Sequence, residues 1–176
     1  DPMFCALLSG EEPSQLNRGV WAIDLIDQVS ATQSYERNTP ILTTTLTDSR
    51  GSSIEITDFC PRFRRHHRPY RPNAFIRTVR PLSGSPRIRV RLLPATAWGA
   101  HDAEITTGSN HIRYRVPGIM RLTTTAPVSH VLNARVFRLE EEHIFFLGPD
   151  EPFDGNLREV ARMMRDNTEL YWRNWV

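Results

Sequence analysis

Hydrophobic and polar residues alternate along most of the chain. Trp21, Ile23 and Leu25 share one face of a segment between Gly19 and Asp27, the two-residue period of a half-buried strand. Gln33 to Arg37 reads as another strand. Ile41 to Asp48 (ILTTTLTD) is dense in β-branched residues, which fit a pleated surface. Asp48-Ser49-Arg50-Gly51 is a turn signal, and Ser53 to Cys60 follows at hairpin distance. The pattern continues over 74–82, 87–93, 112–116, 119–125, 131–139 and 143–147. Ser83-Gly84-Ser85-Pro86, Pro117-Gly118, Pro127 and Glu140-Glu141-Glu142 separate these runs. About ten strands with short turns and no intervening helix predict an all-β, antiparallel β-sandwich rather than a parallel sheet. Pro2 to Leu8 reads as a short helical turn, and Pro61 to Pro72 (PRFRRHHRPYRP) as a basic loop.

The period changes near the C-terminus. From about Asn156 to Trp175, Leu157, Val160, Ala161, Met164, Tyr171, Trp172 and Trp175 recur at three- and four-residue spacing, which predicts an amphipathic helix. Asp154 is the expected N-cap. A stripe carrying two tryptophans needs a large surface to cover it. The expectation is therefore one module of a longer protein: a β-sandwich over 1–153, then a helix over 154–176 leading towards another domain.

Composition narrows the class without naming a chemistry. The 176 residues are enough for one domain with a real core, and 39% apolar with 24% charged residues is ordinary for a soluble globular protein. All 22 basic residues are arginine, against 20 acidic ones, for a net charge of +2. Arginine-only usage suits phosphate or carboxylate recognition; a GC-rich genome is the plainer cause. No apolar run approaches the roughly 20 residues of a membrane span, and no signal peptide is visible. Cys5 and Cys60 show no disulfide-scaffold or metal-knuckle spacing, so two reduced, buried thiols in a bacterial cytoplasm are expected.

Local chemistry is sparse. Asp58, at a strand end, reads as a hydrogen-bond partner. Cys60 and His66 lack a third group to orient a nucleophile–base pair. His66-His67 has no carboxylate or thiol cluster around it to complete a metal site. Glu140-Glu141-Glu142 reads as a solvated turn. Neither a phosphate-binding glycine loop nor a catalytic or cofactor-binding set is expected. Trp98, at a strand-to-loop corner, is expected in the core; exposed, it would be a candidate for stacking on a sugar ring.

Several segments in succession carry a resemblance. DPMFCALL (1–8), NTPILTTTLTDSRGSSIEITDFCPRF (38–63), RPNAFIRTVRPLSGSPRIRVRLLP (71–94), WGAHDAEITTGSNHIRY (98–114), FFLGPDEPF (145–153) and TELYWRNW (168–175) resemble the N-terminal domain of glycoside hydrolase family 15. This family contains glucoamylase, glucodextranase and bacterial trehalase-like enzymes. The resemblance implies a β-sandwich joined by a helical linker to an (α/α)6 barrel that hydrolyses terminal α-glucosidic bonds with inversion. Inversion needs two carboxyl groups about 6.5–9.5 Å apart; in the family both lie in the barrel, so no catalytic residue is carried onto this chain. The implied role is non-catalytic support of that barrel and of its substrate entrance, with an α-glucan or trehalose as the parent's substrate.

On that reading Tyr171, Trp172 and Trp175 are the expected contacts with the barrel. Arg64 and Arg68, in a loop where Arg62, Arg65, Arg71, Phe63 and Tyr70 interleave, are expected to pair with its carboxylates. The same loop is a passable nucleic-acid patch, but a near-neutral chain argues against it. Neither nucleic acid nor membrane is an expected partner. An autonomous carbohydrate-binding module, or a domain that forms a homodimer through the last helix, are the alternatives.

Overall fold

The computed structural model describes residues 2–8, 10, 17–152 and 155–175. The order of elements is β1 (Val20–Leu25), β2 (Gln28–Tyr35), β3 (Leu42–Asp48), β4 (Ser53–Phe59), β5 (Phe63–Arg65), β6 (Arg68–Tyr70), β7 (Phe75–Ser83) and β8 (Arg87–Leu93). It continues through β9 (Ala95–Thr96), β10 (His101–Asp102), β11 (Glu104–Thr107), β12 (His111–Val116), β13 (Gly118–Thr124), helix α1 (Val128–Leu132), β14 (Val136–Arg138), β15 (His143–Pro149) and helix α2 (Leu157–Arg173). A short 3-10 turn, Ala6–Leu8, lies in the apolar segment near the N-terminus, where a helical turn was expected, and a second spans Ala97–Gly99.

Eight strands form the main sheet in the order β11-β12-β13-β15-β7-β4-β3-β2, and every pairing is antiparallel. The expected hairpin is its β3–β4 pair, in register from Leu42↔Asp58 to Thr47↔Ser53. The turn between them is held by Asp48, whose carboxylate accepts from the backbone N–H groups of Arg50 and Ser52, each at 2.8 Å. A second sheet, β1-β8-β14, has three strands. The fold is thus an all-β antiparallel sandwich with a C-terminal helix, and its two layers are unequal.

Alternation along the main sheet sends alternate residues to opposite faces. One face supplies Leu46, Ile54, Ile56, Val79, Phe145, Leu147, Leu122 and Ile112, which bury against Ile23, Leu25, Ile88, Val90 and Leu92 of the small sheet. The opposite face supplies Phe59, Ile76, Ile144 and Phe146, joined by Ile41, and is covered by Phe63, Ala161 and Met164. The main sheet is therefore buried on both sides, by a sheet on one and by α2 with the β5–β6 strands on the other.

Three expectations are corrected, and one tryptophan lies nearer the surface than its strand suggests. Residues 61–72 are not an irregular loop: β5 and β6 pair as a hairpin, with His66 and His67 both left-handed at its tip (φ 50° and 61°). Two left-handed residues suit a two-residue hairpin turn, a place usually taken by Asn-Gly, so His66-His67 carries no turn signal. Residues 131–139 are not one strand. The chain turns through α1 after Pro127, buries Val131, and becomes β14 only at Val136. Cys60 is exposed, whereas Cys5 is buried, and both are free thiols. Trp21 is only partly buried, packed against the larger core and capped by the Arg77 guanidinium 4.8 Å from its ring.

The helix boundary also shifts. Asn156 caps α2, its side chain accepting from the N–H of Arg158 at 2.8 Å, while Asp154 lies outside the described residues. Among the described residues no helix is long and apolar enough to cross a membrane.

Candidate interaction site

The last turns of α2 reach the rim of the main sheet, beside the chain that leaves β4. Three features place them there. Ala161 and Met164 anchor the helix in the outer core. Thr168 is fully buried on the same stripe. Its hydroxyl donates to the Met164 carbonyl at 2.7 Å and accepts the N–H of Arg62 at 3.1 Å, so the helix holds the strand-to-hairpin segment by a main-chain group.

Beyond that bond Arg62 turns into the aromatic residues of the helix. Its guanidinium lies 5.6 Å from the Tyr171 ring centre and 5.4 Å from that of Trp172. Tyr171 and Trp172 meet edge to face at 5.7 Å, and Trp172 meets Trp175 at 6.0 Å in the same manner. The stack emerges from the fold as it goes. Tyr171 and Trp172 are half-buried, and Trp175 is 74% exposed.

A cleft of about 370 Å³ opens beside this stack, walled by Trp172, Phe75 and Tyr35, with Arg62, Arg71 and Asp58 as its charged groups. Two of its donors are unmet: Arg62 Nε and Trp172 Nε1 are buried without a hydrogen-bond partner. Asp58 is committed, both carboxylate oxygens accepting from Arg77, Nε at 2.7 Å and Nη2 at 2.8 Å. Cys60 borders the cleft. Although the residue is exposed, the cleft partly desolvates its sulfur, and this, and then the nearby Asp58 carboxylate, push its thiol pKa up, so it is a poor nucleophile near neutrality. The chemistry available here is stacking and hydrogen-bond donation.

The structure therefore gathers Tyr171, Trp172 and Trp175 as the sequence anticipated, and adds Arg62 and Thr168, which periodicity did not single out. A buried threonine within an apolar stripe breaks the hydrophobic signal, and Arg62 was one of several arginines in its run. Arg64 and Arg68 stand apart from this stack, exposed on the hairpin. Arg64 lines a separate groove of about 650 Å³ with Phe63, His66, Met163, Asn167 and Glu151.

Other sequence candidates disperse. His66 lies in that groove and Cys60 in the cleft, so the two do not form one site. Among the described residues no group of three metal-ligating side chains occurs. Glu140 and Glu141 are exposed, facing Arg138 and Arg158 at 3.7 and 2.9 Å. Trp98 is not in the core: it is 68% exposed, in a left-handed turn with Ala97 and Gly99, and takes no part in the Trp172 cleft. A left-handed backbone directs the ring away from the strand pleat that would have buried it. No family model, curated protein or solved structure matches the chain.

Proposed function

We propose that this chain is a non-catalytic β-sandwich module that holds the (α/α)6 catalytic barrel of a glucoamylase-like glycoside hydrolase, an inverting, exo-acting enzyme of α-glucosides. The observation that carries the reading is the emergent aromatic stack. Trp175 stands in solvent at the end of α2, Trp172 and Arg62 beneath it hold unmet donors, and arginines line the neighbouring hairpin. Large apolar surface rimmed by polar groups marks an interaction site, and tryptophan with arginine is the composition of interface hot spots. The resemblance of the successive segments to family 15 N-terminal domains names the partner as the barrel of the same polypeptide.

Two measurements test it. The chain alone should release no glucose from maltose, maltooligosaccharides or trehalose; measurable turnover would end the reading. It should also bind the barrel supplied in trans, and Trp172→Ala with Trp175→Ala should weaken that association by on the order of 30-fold or more, as loss of a hot spot does. Unchanged binding would place the contact elsewhere. The exposure of Trp98 favours a second reading, a carbohydrate-binding module. Calorimetric titration with maltoheptaose separates the two, since heat that disappears in Trp98→Ala supports the module and not the clamp.

A further inference from the structure

The two edges of the main sheet are built differently. β11, at one edge, has four residues, and Glu104 at its start faces Arg115 at 3.5 Å. β2, at the other edge, has eight residues, all exposed, and none of them is charged or proline. Natural sheets usually shorten or charge their edges, because a row of unpaired N–H and C=O groups recruits another strand. β11 carries such protection. β2 has one bulge, at its first residues, and nothing further along.

The backbone fixes which groups are free. The N–H of Glu36 donates to the carbonyl of Ile41 at 2.9 Å, one step beyond the last ladder pair, Tyr35↔Leu42, which sets the phase of the β2–β3 ladder. Bonded and non-bonded pairs alternate along an antiparallel ladder. Ser34, Thr32 and Ser30 therefore bond inward to β3, and Tyr35, Gln33 and Ala31 present N–H and C=O groups outward. The charges flanking the strand are held within the chain: Glu36 pairs with Arg165, and Asp27 with Arg87.

We infer that β2 is a homodimer interface, pairing antiparallel with β2 of a second copy about a two-fold axis at Thr32. The sequence of the strand is self-complementary about that residue. Ala31 of each copy would exchange main-chain bonds with Gln33 of the other, about four in all. The two large apolar side chains of β2, Val29 at 66% and Tyr35 at 67% exposure, stand three residues either side of Thr32. Val29 sits in the bulge, so the axis would bring it near the opposite copy's Tyr35 without a regular cross-strand register, adding apolar contact at each end of the pairing. Without charges on β2, no like-charge contact is created. A closed, isologous contact of this kind joins two main sheets into one and stops there. Tyr35 also walls the Trp172 cleft, so this contact adjoins the α2 aromatic stack, but it rests on the main-chain groups of β2 and not on the proposed barrel.

Sedimentation velocity at high micromolar concentration should show a species of twice the 20.3 kDa chain. Thr32→Lys places two ammonium groups together at the axis and should raise the dimer dissociation constant by on the order of 10-fold, with the circular dichroism and melting temperature of the monomer retained. In a Cys60→Ser background, Thr32→Cys should form an intermolecular disulfide under mild oxidation. The non-bonded pair at the axis brings the two Cα atoms to about 4.5 Å, within disulfide reach. Thr106→Cys, on the opposite edge, should not. A monomer at all concentrations overturns the inference. So does a dimer that survives Thr32→Lys but is lost on Trp175→Ala, which would put the contact on α2.

Discussion

Arg77 shows how much one side chain can organise. Its Nε and Nη2 hold both oxygens of Asp58, Nη1 donates to the Trp21 carbonyl at 3.2 Å, and the guanidinium plane lies over the rings of Trp21 and Phe75 at 4.8 and 5.7 Å. The strand register explains the meeting, because Asp58 and Arg77 are opposite one another on β4 and β7. Both side chains are largely buried, at 12% and 16% exposure. Exposed ion pairs contribute little, but removing one member of a buried pair leaves an uncompensated charge, at a cost of about 3–5 kcal/mol. Arg77→Met should destabilise the chain by that order in urea unfolding. Arg77→Lys should recover only part, since an ammonium cannot reproduce the two-pronged contact or the stacking. The double variant with Asp58→Asn should lose less than the sum of the singles, the mark of a direct coupling. A loss under about 0.5 kcal/mol for Arg77→Met, the range of an ordinary surface change, would show the pair to be a bystander.

Among the elements, the β5–β6 hairpin depends on its neighbour. An isolated two-stranded hairpin is marginal in water, and this one gains its order from α2: Phe63 in the outer core, the ring pair Phe63–Tyr70 at 4.9 Å, and the Thr168–Arg62 bond. Thr168→Val keeps the shape but strands the Arg62 N–H, at a cost of roughly 1–3 kcal/mol. Trypsin should then cleave within residues 62–71 several-fold faster, while Thr168→Ser should behave like the parent chain; equal cleavage in both would refute the tether. The same element shows where sequence reading stops. β3, β4, β7, β8 and α2 announced themselves because each is rich in β-branched or apolar residues at a regular spacing. β2 was read over Gln33 to Arg37 but runs Gln28–Tyr35, because a strand that buries no residue has no period to set its bounds, and β9, β10 and β11 are short and mostly exposed. The hairpin hid behind two histidines doing what glycine and asparagine usually do. Residues 131–139 carry apolar spacing for both a helical turn and a strand, and Pro127 decided which came first. At the site, Tyr171, Trp172 and Trp175 were visible by spacing, whereas Arg62 is defined by a contact made 106 residues away along the chain.

At the scale of the molecule, one sheet serves two cores of unequal size. Among the described residues, nineteen buried side chains fill the space between the two sheets and nine fill the space under α2 and the hairpin. The helix itself contributes few of the nine: Ala161 and Met164 are buried, with Leu157, Val160 and Tyr171 only partly so. Buried apolar area sets most of the free energy holding an element in place, at roughly 25 cal/mol per Å², so the outer layer is the weaker attachment. Cooperative units open at free energies that follow such differences. The outer layer should therefore open as a unit below the global transition, exposing Phe59, Ile76, Ile144 and Phe146 while the sandwich persists. Native-state hydrogen exchange resolves this: amides of α2 and of β5–β6 should exchange together through a sub-global opening, and those of β4, β7 and β15 only through complete unfolding. A barrel seated on the aromatic end of α2 would slow both sets by the same factor, because the sub-global and the complete opening both release it; only openings that leave α2 in place would be unchanged. If α2 amides in the free chain exchange as slowly as those of β7, the two cores form one cooperative unit, and the helix is part of the sandwich rather than a clamp laid upon it.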